Sequence, residues 1–281
     1  MRIARLRDEK WAFLEDPQQV IDELKRQPQR IDLFTLIGRL PNGLPELPYA
    51  AKMDNLAVLP ITTFDHWRNE VIDGKTRNVL RKSEKRGVVV VRVDFDENLL
   101  HSISNIYNEC PIRQGRQFLH YRKDINTVRK ETITFIDKTV FLGAYFDKEL
   151  IGFAKIVIDK YGNQAGLMQI ISMIKHRDKA PNNALVSEAV RVCAERGISY
   201  LWYGNYVYGN KGEDSLADFK KYNGFRRIDI PRYYIPLTTF GQIAIRLGLQ
   251  EQLINRIPAP AINAMRRLRQ LWYCRGVSSV R

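Results

Sequence analysis

The spacing of apolar residues divides the chain into alternating helix-like and strand-like stretches. Residues 17–30 read as a short polar helix opened by Pro17. Residues 31–63 carry prolines at 41, 45, 48 and 60, which argues against a helix. Two or three short strands with turns fit this region better. Residues 64–87 read as helical turns closed by Gly87. VVVVRVDF (88–95) is β-branched and reads as a strand. Over 98–110, Leu99, Leu100, Ile103, Ile106 and Tyr107 recur at helical spacing. After a loop, 125–138 reads as a second helix with Ile125, Val128, Ile133 and Ile136 on its apolar side. Residues 140–159 read as two strands turning at Asp147-Lys148, and 165–174 as a third. NNALVSEAVRVCAERG (182–197) puts Leu185, Val186, Ala189, Val190 and Cys193 on one helix face, with Gly197 as the stop. A strand (198–205), a short helix (215–223) ending at Gly224, and two strand-like pieces around Pro231 follow. From residue 88 the order is β-α-α-β-β-β-α-β-α-β, which implies an α/β mixed sheet with helices on both faces.

Composition adds a partner class. The chain has 281 residues, 44% hydrophobic, with a net charge of +14. That length buries a real core, and the basic excess points to a phosphate-rich ligand, nucleic acid or an acidic membrane surface. No apolar run approaches the roughly 20 residues of a membrane span. The first residues lack the apolar region of a secretory signal, so a cytoplasmic location is expected. Cys110, Cys193 and Cys274 are odd in number, widely spaced and not clustered with His66, His101, His120 or His176. This argues against a disulfide framework and a structural zinc site. Cys193 falls on an apolar helix face. Cys110 would be a nucleophile only with a base that spacing does not identify.

Three features in order give a family resemblance over about residues 88–238. LGAYFDKELIGFAKI forms a strand–turn–strand hairpin, the helix 182–197 follows the polar loop HRDKAPNN, and ADFKKYNGFR closes the region. Together they resemble the Gcn5-related N-acetyltransferase (GNAT) superfamily. Upstream, TRNVLRKSEKRGVVVV and the pair Phe219-Lys220 resemble its Fem-like branch, whose members often carry doubled GNAT-like domains. The best-known members move amino acids from aminoacyl-tRNA to peptidoglycan precursors. The resemblance implies a GNAT-like domain at 88–239. Residues 1–87 then form an N-terminal extension or reduced half-domain, and 240–281 a basic helical tail.

The residues supply the chemistry that acyl transfer needs. A helix N-terminus presents free N–H groups and positive potential to phosphate. The loop before helix 182–197 offers Arg177, Lys179, Ala180, Asn182 and Asn183 for this work. The resemblance aligns it with the loop that cradles coenzyme A pyrophosphate, with Ala180 and Asn182 where glycines are usual. It also aligns Lys220 with the tyrosine that protonates the leaving group. Lysine in that place would stabilise an oxyanion or contact a phosphate, and in the Fem-like branch the lysine lies near the donor's 3′-terminal phosphate or ribose. Phe219 joins it at the substrate. Tyr203, Tyr206 and Tyr208, after a strand end, are alternative acids or simply packed aromatics. The loop 108–121 borders the acceptor site in GNAT folds. There Glu109 is a candidate base or a surface ion-pair partner, and Arg113, Arg116 and Arg122 suit an anionic acceptor.

The expected activity is N-acyl transfer from an activated donor, narrowly acyl-CoA, to an amine, with aminoacyl-tRNA as the alternative donor. A non-enzymatic reading also stands: an RNA- or membrane-binding module on a degenerate GNAT scaffold. The tail has seven basic residues and one acid, with Ile262, Met265, Leu268 and Trp272 at helical spacing. It would contact RNA, an anionic inner membrane face or its own domain.

Overall fold

The computed structural model describes residues 1–6, 16–38, 47–113, 116–159, 161–208 and 215–249. The tail segment with Ile262 to Trp272 lies outside the described residues. Strand β1 (Ile3–Arg5) precedes α1 (Pro17–Arg26), which Asp16 caps by accepting from the amides of Gln18 and Gln19. Strands β2 (Leu33–Ile37) and β3 (Ala50–Pro60) follow. Next come α2 (Phe64–His66), a π-helical turn (Trp67–Val71), and α3 (Gly74–Lys85), capped by Asp73. Strand β4 (Val89–Val93) leads to α4 (Glu97–Asn108), a two-stranded ribbon of β5 (Ile112–Arg113) and β6 (Arg116–Gln117), and α5 (Ile125–Thr132). The antiparallel run β7 (Thr139–Phe146), β8 (Glu149–Ile158) and β9 (Gln164–Ser172) precedes a 3-10 turn (Ile174–Lys179). The chain continues with α6 (Pro181–Glu195), β10 (Tyr200–Asn205), α7 (Ser215–Tyr222), β11 (Arg226–Pro236) and α8 (Thr239–Arg246).

Among the described residues, nine strands form one mixed, open sheet in the order β1-β2-β11-β3-β10-β9-β8-β7-β4. Neighbouring residues of β9 point to opposite faces: Ile170 packs against the cluster that holds Leu185, Val186 and Val190 of α6, and Ile171 against the cluster that holds Leu100, Ile103 and Phe153. Helices α3 and α6 therefore cover one face of this half of the sheet, and α4 and α5 the other.

Three sequence expectations change. First, residues 31–63, expected as two or three short strands with turns, supply β2 and the long strand β3, which lies between β10 and β11. Second, β11 is one strand that runs through Pro231, pairing with β3 from Arg226 to Tyr234. The Pro231 carbonyl accepts from the Gly38 amide at 2.8 Å, so the position still contributes a backbone bond. Third, α5 stops at Thr132, and Ile133 and Ile136 are exposed. The β7–β8 turn keeps its expected place without glycine, since Asp147 and Lys148 both adopt positive φ, the geometry of a type I′ turn.

The reason α5 stops is a lysine. Lys155 on β8 is fully buried, and its ammonium donates to the carbonyls of Thr132 (2.7 Å) and Thr134 (2.5 Å) and to the Thr134 hydroxyl (2.8 Å). A continuing helix would need those carbonyls for itself. Phe135 then takes a left-handed conformation at φ 61°. Burial pushes the Lys155 ammonium down to about 8 from an ordinary 10.5.

Folding thus weakens proton binding at Lys155. The unfolded chain holds more protons between about pH 8 and 10.5, so this group's contribution to stability rises with pH across that window and is constant below it. Urea unfolding of wild type and Lys155→Met should therefore diverge as pH rises from 8 to 10.5. The wild-type gain relative to the variant should be on the order of 3 kcal/mol.

Candidate functional site

The sheet opens beside β10. Its parallel ladder with β9 runs only from Tyr200↔Gln164 to Trp202↔Gly166, although β9 continues to Ser172. β10 stays with β3, gaining one extra residue between Trp202 and Asn205, where two residues oppose one. Gly204 sits in this bulge at φ 57°, and a side chain there would run into the Tyr208 hydroxyl. Among the described residues no ladder joins β9 and β10 beyond Trp202.

One wall of the opening is the α6 N-terminus. Ala180 takes φ 52°, the left-handed conformation that glycine favours, and Pro181 begins the helix. No side chain caps this end, and the Asn182 Oδ1 is buried with no hydrogen-bond partner. The preceding turn is fixed from two sides. Glu109 accepts from the amides of Ile174 (2.6 Å) and Lys175 (2.8 Å), and Glu149 pairs with Lys175 (2.7 Å) and His176 (3.3 Å). Arg177 is exposed, and Lys179 lies over the Phe146 ring at 4.7 Å. Arg86 at the end of α3 donates to the Asp178 carbonyl. Asn183 Nδ2 reaches Asn223 Oδ1 at 3.4 Å, and the Asn223 carbonyl accepts from Trp67 Nε1 at 3.0 Å. The first turn of α6 is thereby joined to the end of α7.

The other wall carries Lys220. It is fully buried, donates to the Asn205 carbonyl at the end of β10, and lies 4.7 Å and 4.8 Å from the Tyr203 and Tyr208 ring centroids. Burial raises the Tyr203 hydroxyl above its ordinary 10, so it keeps its proton at neutral pH. Phe219 and Tyr206 pack against the same core, and the Tyr206 amide donates to the Asn55 carbonyl at 3.0 Å. Of the expected residues, Lys220 of α7 and Tyr203 of β10 come together, and Asn183 connects to Asn223 at the end of α7.

Of the expected acceptor arginines, Arg113 and Arg122 have different partners. Arg113 is largely buried as a strut. It donates to the carbonyls of Ser172 and Ile106, both at 2.7 Å, and to Glu109 at 3.2 Å. Glu109 and Arg113 thus bond to each other and to backbone. Arg122 is exposed over the Tyr121 ring at 5.3 Å. Arg116 contributes backbone to the ribbon opposite Arg113. Cys110 Sγ donates to the Ile112 carbonyl at 3.0 Å, and Cys193 is core, its thiol pushed up to about 12. Lys155 escaped sequence reasoning, as a single polar residue without a spacing pattern.

Neither the family models nor the curated proteins contain a match to this chain. Solved structures do. FemX aligns over 74% of this chain and 68% of its own at 15% identity, with a TM-score of 0.54. The C-terminal domain (DUF2156) named for a lysylphosphatidylglycerol synthetase of Agrobacterium fabrum aligns over 77% and 71% at 12% identity, TM-score 0.53. A Bacteroides thetaiotaomicron protein of unknown function aligns over 79% and 74% at 13%, TM-score 0.52. The architecture is GNAT-like. At these identities the likeness is one of fold. Among the described residues there is no group of three or more potential metal ligands, and no helix is long and apolar enough to cross a membrane.

If Glu109 serves as a tether, its removal is a stability lesion. Glu109→Ala leaves two amides and the Arg113 guanidinium without their acceptor, and should lower unfolding free energy by about 2 kcal/mol in urea titrations. Glu109→Gln keeps an acceptor oxygen and should lose less.

Proposed function

We propose that the chain is an N-acyltransferase whose donor enters where β9 and β10 part. The observation that carries this reading is the convergence on that opening of an uncapped helix N-terminus and a buried lysine. Phosphate suits the first, because the N–H groups and dipole of α6 favour negative charge and Arg177 and Lys179 add to it. Developing oxyanion charge suits the second. The Lys220 ammonium is fixed in a low-dielectric setting, so it needs little reorganisation as charge builds. Tyr203, which retains its proton, protonates the leaving group in this reading.

The donor we favour is acyl-CoA, whose pyrophosphate matches the α6 terminus. Ala180 supports this by adopting the left-handed backbone that a glycine would supply. The second reading is aminoacyl-tRNA. It is favoured by Lys220 in place of tyrosine and by a structural neighbour named as a lysylphosphatidylglycerol synthetase domain. Both donors share an activated carbonyl on a phosphate-bearing carrier, and both reactions end with a new C–N bond when the acceptor is an amine.

Transfer assays with labelled acetyl-CoA and, separately, charged tRNA test the reading. One donor should support turnover, and Lys220→Met should cut kcat/KM by about 100-fold. The exposed neighbour variant Lys221→Met should match wild type. The Lys220 change leaves the Asn205 carbonyl without this donor, so about 1–3 kcal/mol of stability should go with it. Circular dichroism must show that the variant remains folded. Steeply salt-dependent RNA binding without transfer would instead support the non-enzymatic reading.

A further inference from the structure

Helix α8 reverses the usual arrangement of a surface helix. Its buried residues are the small ones, Gly241 and Ala244. Its large apolar residues stand in solvent: Phe240 is 41% exposed, Ile243 47% and Leu247, just past its end, 61%. These three recur at i, i+3 and i+7, so they form one stripe along the helix. Single apolar residues scattered on a surface are ordinary, but a stripe of three marks a place of interaction.

Asp32, at the start of β2, fixes the helix in this orientation. Its carboxylate accepts from the Arg2 amide (2.8 Å) and the Thr238 hydroxyl (3.1 Å), and its carbonyl accepts from the Leu237 amide (2.9 Å). Thr238 in turn caps α8 by accepting from the Gly241 amide at 3.1 Å. A side chain at Gly241 would collide with the Asp32 carbonyl, so glycine is what lets α8 lie this close to β2. Rolling the helix to bury its stripe would break these bonds.

Charge decides what the stripe meets. Arg2 and Arg30, both exposed, bond to Asp32 beside the helix start, and exposed Arg246 closes the helix. Residues 250–281, which follow, contain six arginines and one acid, Glu251. A second copy of the chain would set these arginines against their own kind, and so would residues 250–281 laid over α8. RNA would meet the arginines but offers no place for aliphatic Ile243 and Leu247. An acidic lipid layer suits both parts, since its acyl boundary takes the stripe and its headgroups take the arginines.

We propose that α8 docks on an anionic lipid surface. Phe240, Ile243 and Leu247 enter the acyl boundary, and Arg2, Arg30, Arg246 and the arginines of 250–281 stay at the headgroups. The helix has 8 residues, far short of a span, so it lies in the surface. This docking uses no residue of the β9–β10 opening and does not rest on acyl transfer.

Sedimentation of the full chain with vesicles tests it. Wild type should bind phosphatidylcholine vesicles containing about 30% phosphatidylglycerol roughly 10-fold more tightly than phosphatidylcholine alone, and lose most of that gain at about 0.5 M salt. Phe240→Ser combined with Ile243→Ser should weaken binding to the anionic vesicles about 10-fold. Phe240→Leu combined with Ile243→Leu should bind like wild type. Both side chains are exposed, so the serine variant should keep the wild-type melting temperature and oligomeric state. Wild type that ignores anionic vesicles, with or without RNA binding, overturns the proposal. A serine variant that binds vesicles like wild type also overturns it. A serine variant that melts lower shows the stripe packed by the chain itself, and one that passes from dimer to monomer shows a second copy there. Either result overturns the lipid assignment.

Discussion

The bulge in β10 is the constraint on which the site depends. One extra residue between Trp202 and Asn205 keeps β10 on β3 while drawing it away from β9. Gly204 permits the backbone conformation, and the Tyr208 hydroxyl fills the space a side chain would need. The acyl-transfer reading uses the gap this creates. The α6 terminus borders it from one side, Lys220 binds the displaced strand end through Asn205, and Arg113 fixes the β9 end through Ser172.

Two buried lysines show how the fold uses charge internally. Lys155 and Lys220 are both fully buried, and each donates to backbone carbonyls. An ammonium in such a place is costly unless its donors are satisfied. Lys155 meets that need by taking the carbonyls that would have extended α5. It therefore sets a helix end and connects α5 to the sheet. Lys220 adds two aromatic faces, whose negative potential partly replaces lost hydration. The basic excess of the sequence is thus not all a solvated coat, and these two charges act on structure and site.

Local periodicity revealed most elements. The apolar face of α6, the β7–β8 hairpin and the glycine stops at Gly87, Gly197 and Gly224 all follow from spacing and backbone chemistry. The insertion of β3 between β10 and β11 was not legible, because strand order depends on pairing between distant segments. The short α5 was missed because its end is set by Lys155, a residue on another element. Lys220 is singled out in the sequence only by the family resemblance, and its burial and its bond to the Asn205 carbonyl depend on contacts between distant segments. Glu109 was noticed for its charge, but only coordinates show its oxygens on the Ile174 and Lys175 amides.

The central claim is that the β9–β10 opening receives the donor. Amide hydrogen exchange on the full chain, with and without acetyl-CoA or charged tRNA, tests it directly. The account predicts slowed exchange in segments 166–172, 177–183 and 203–206 with one of these donors. Protection confined to α3 or to the β1–β2 edge, with those three segments unchanged, would contradict it.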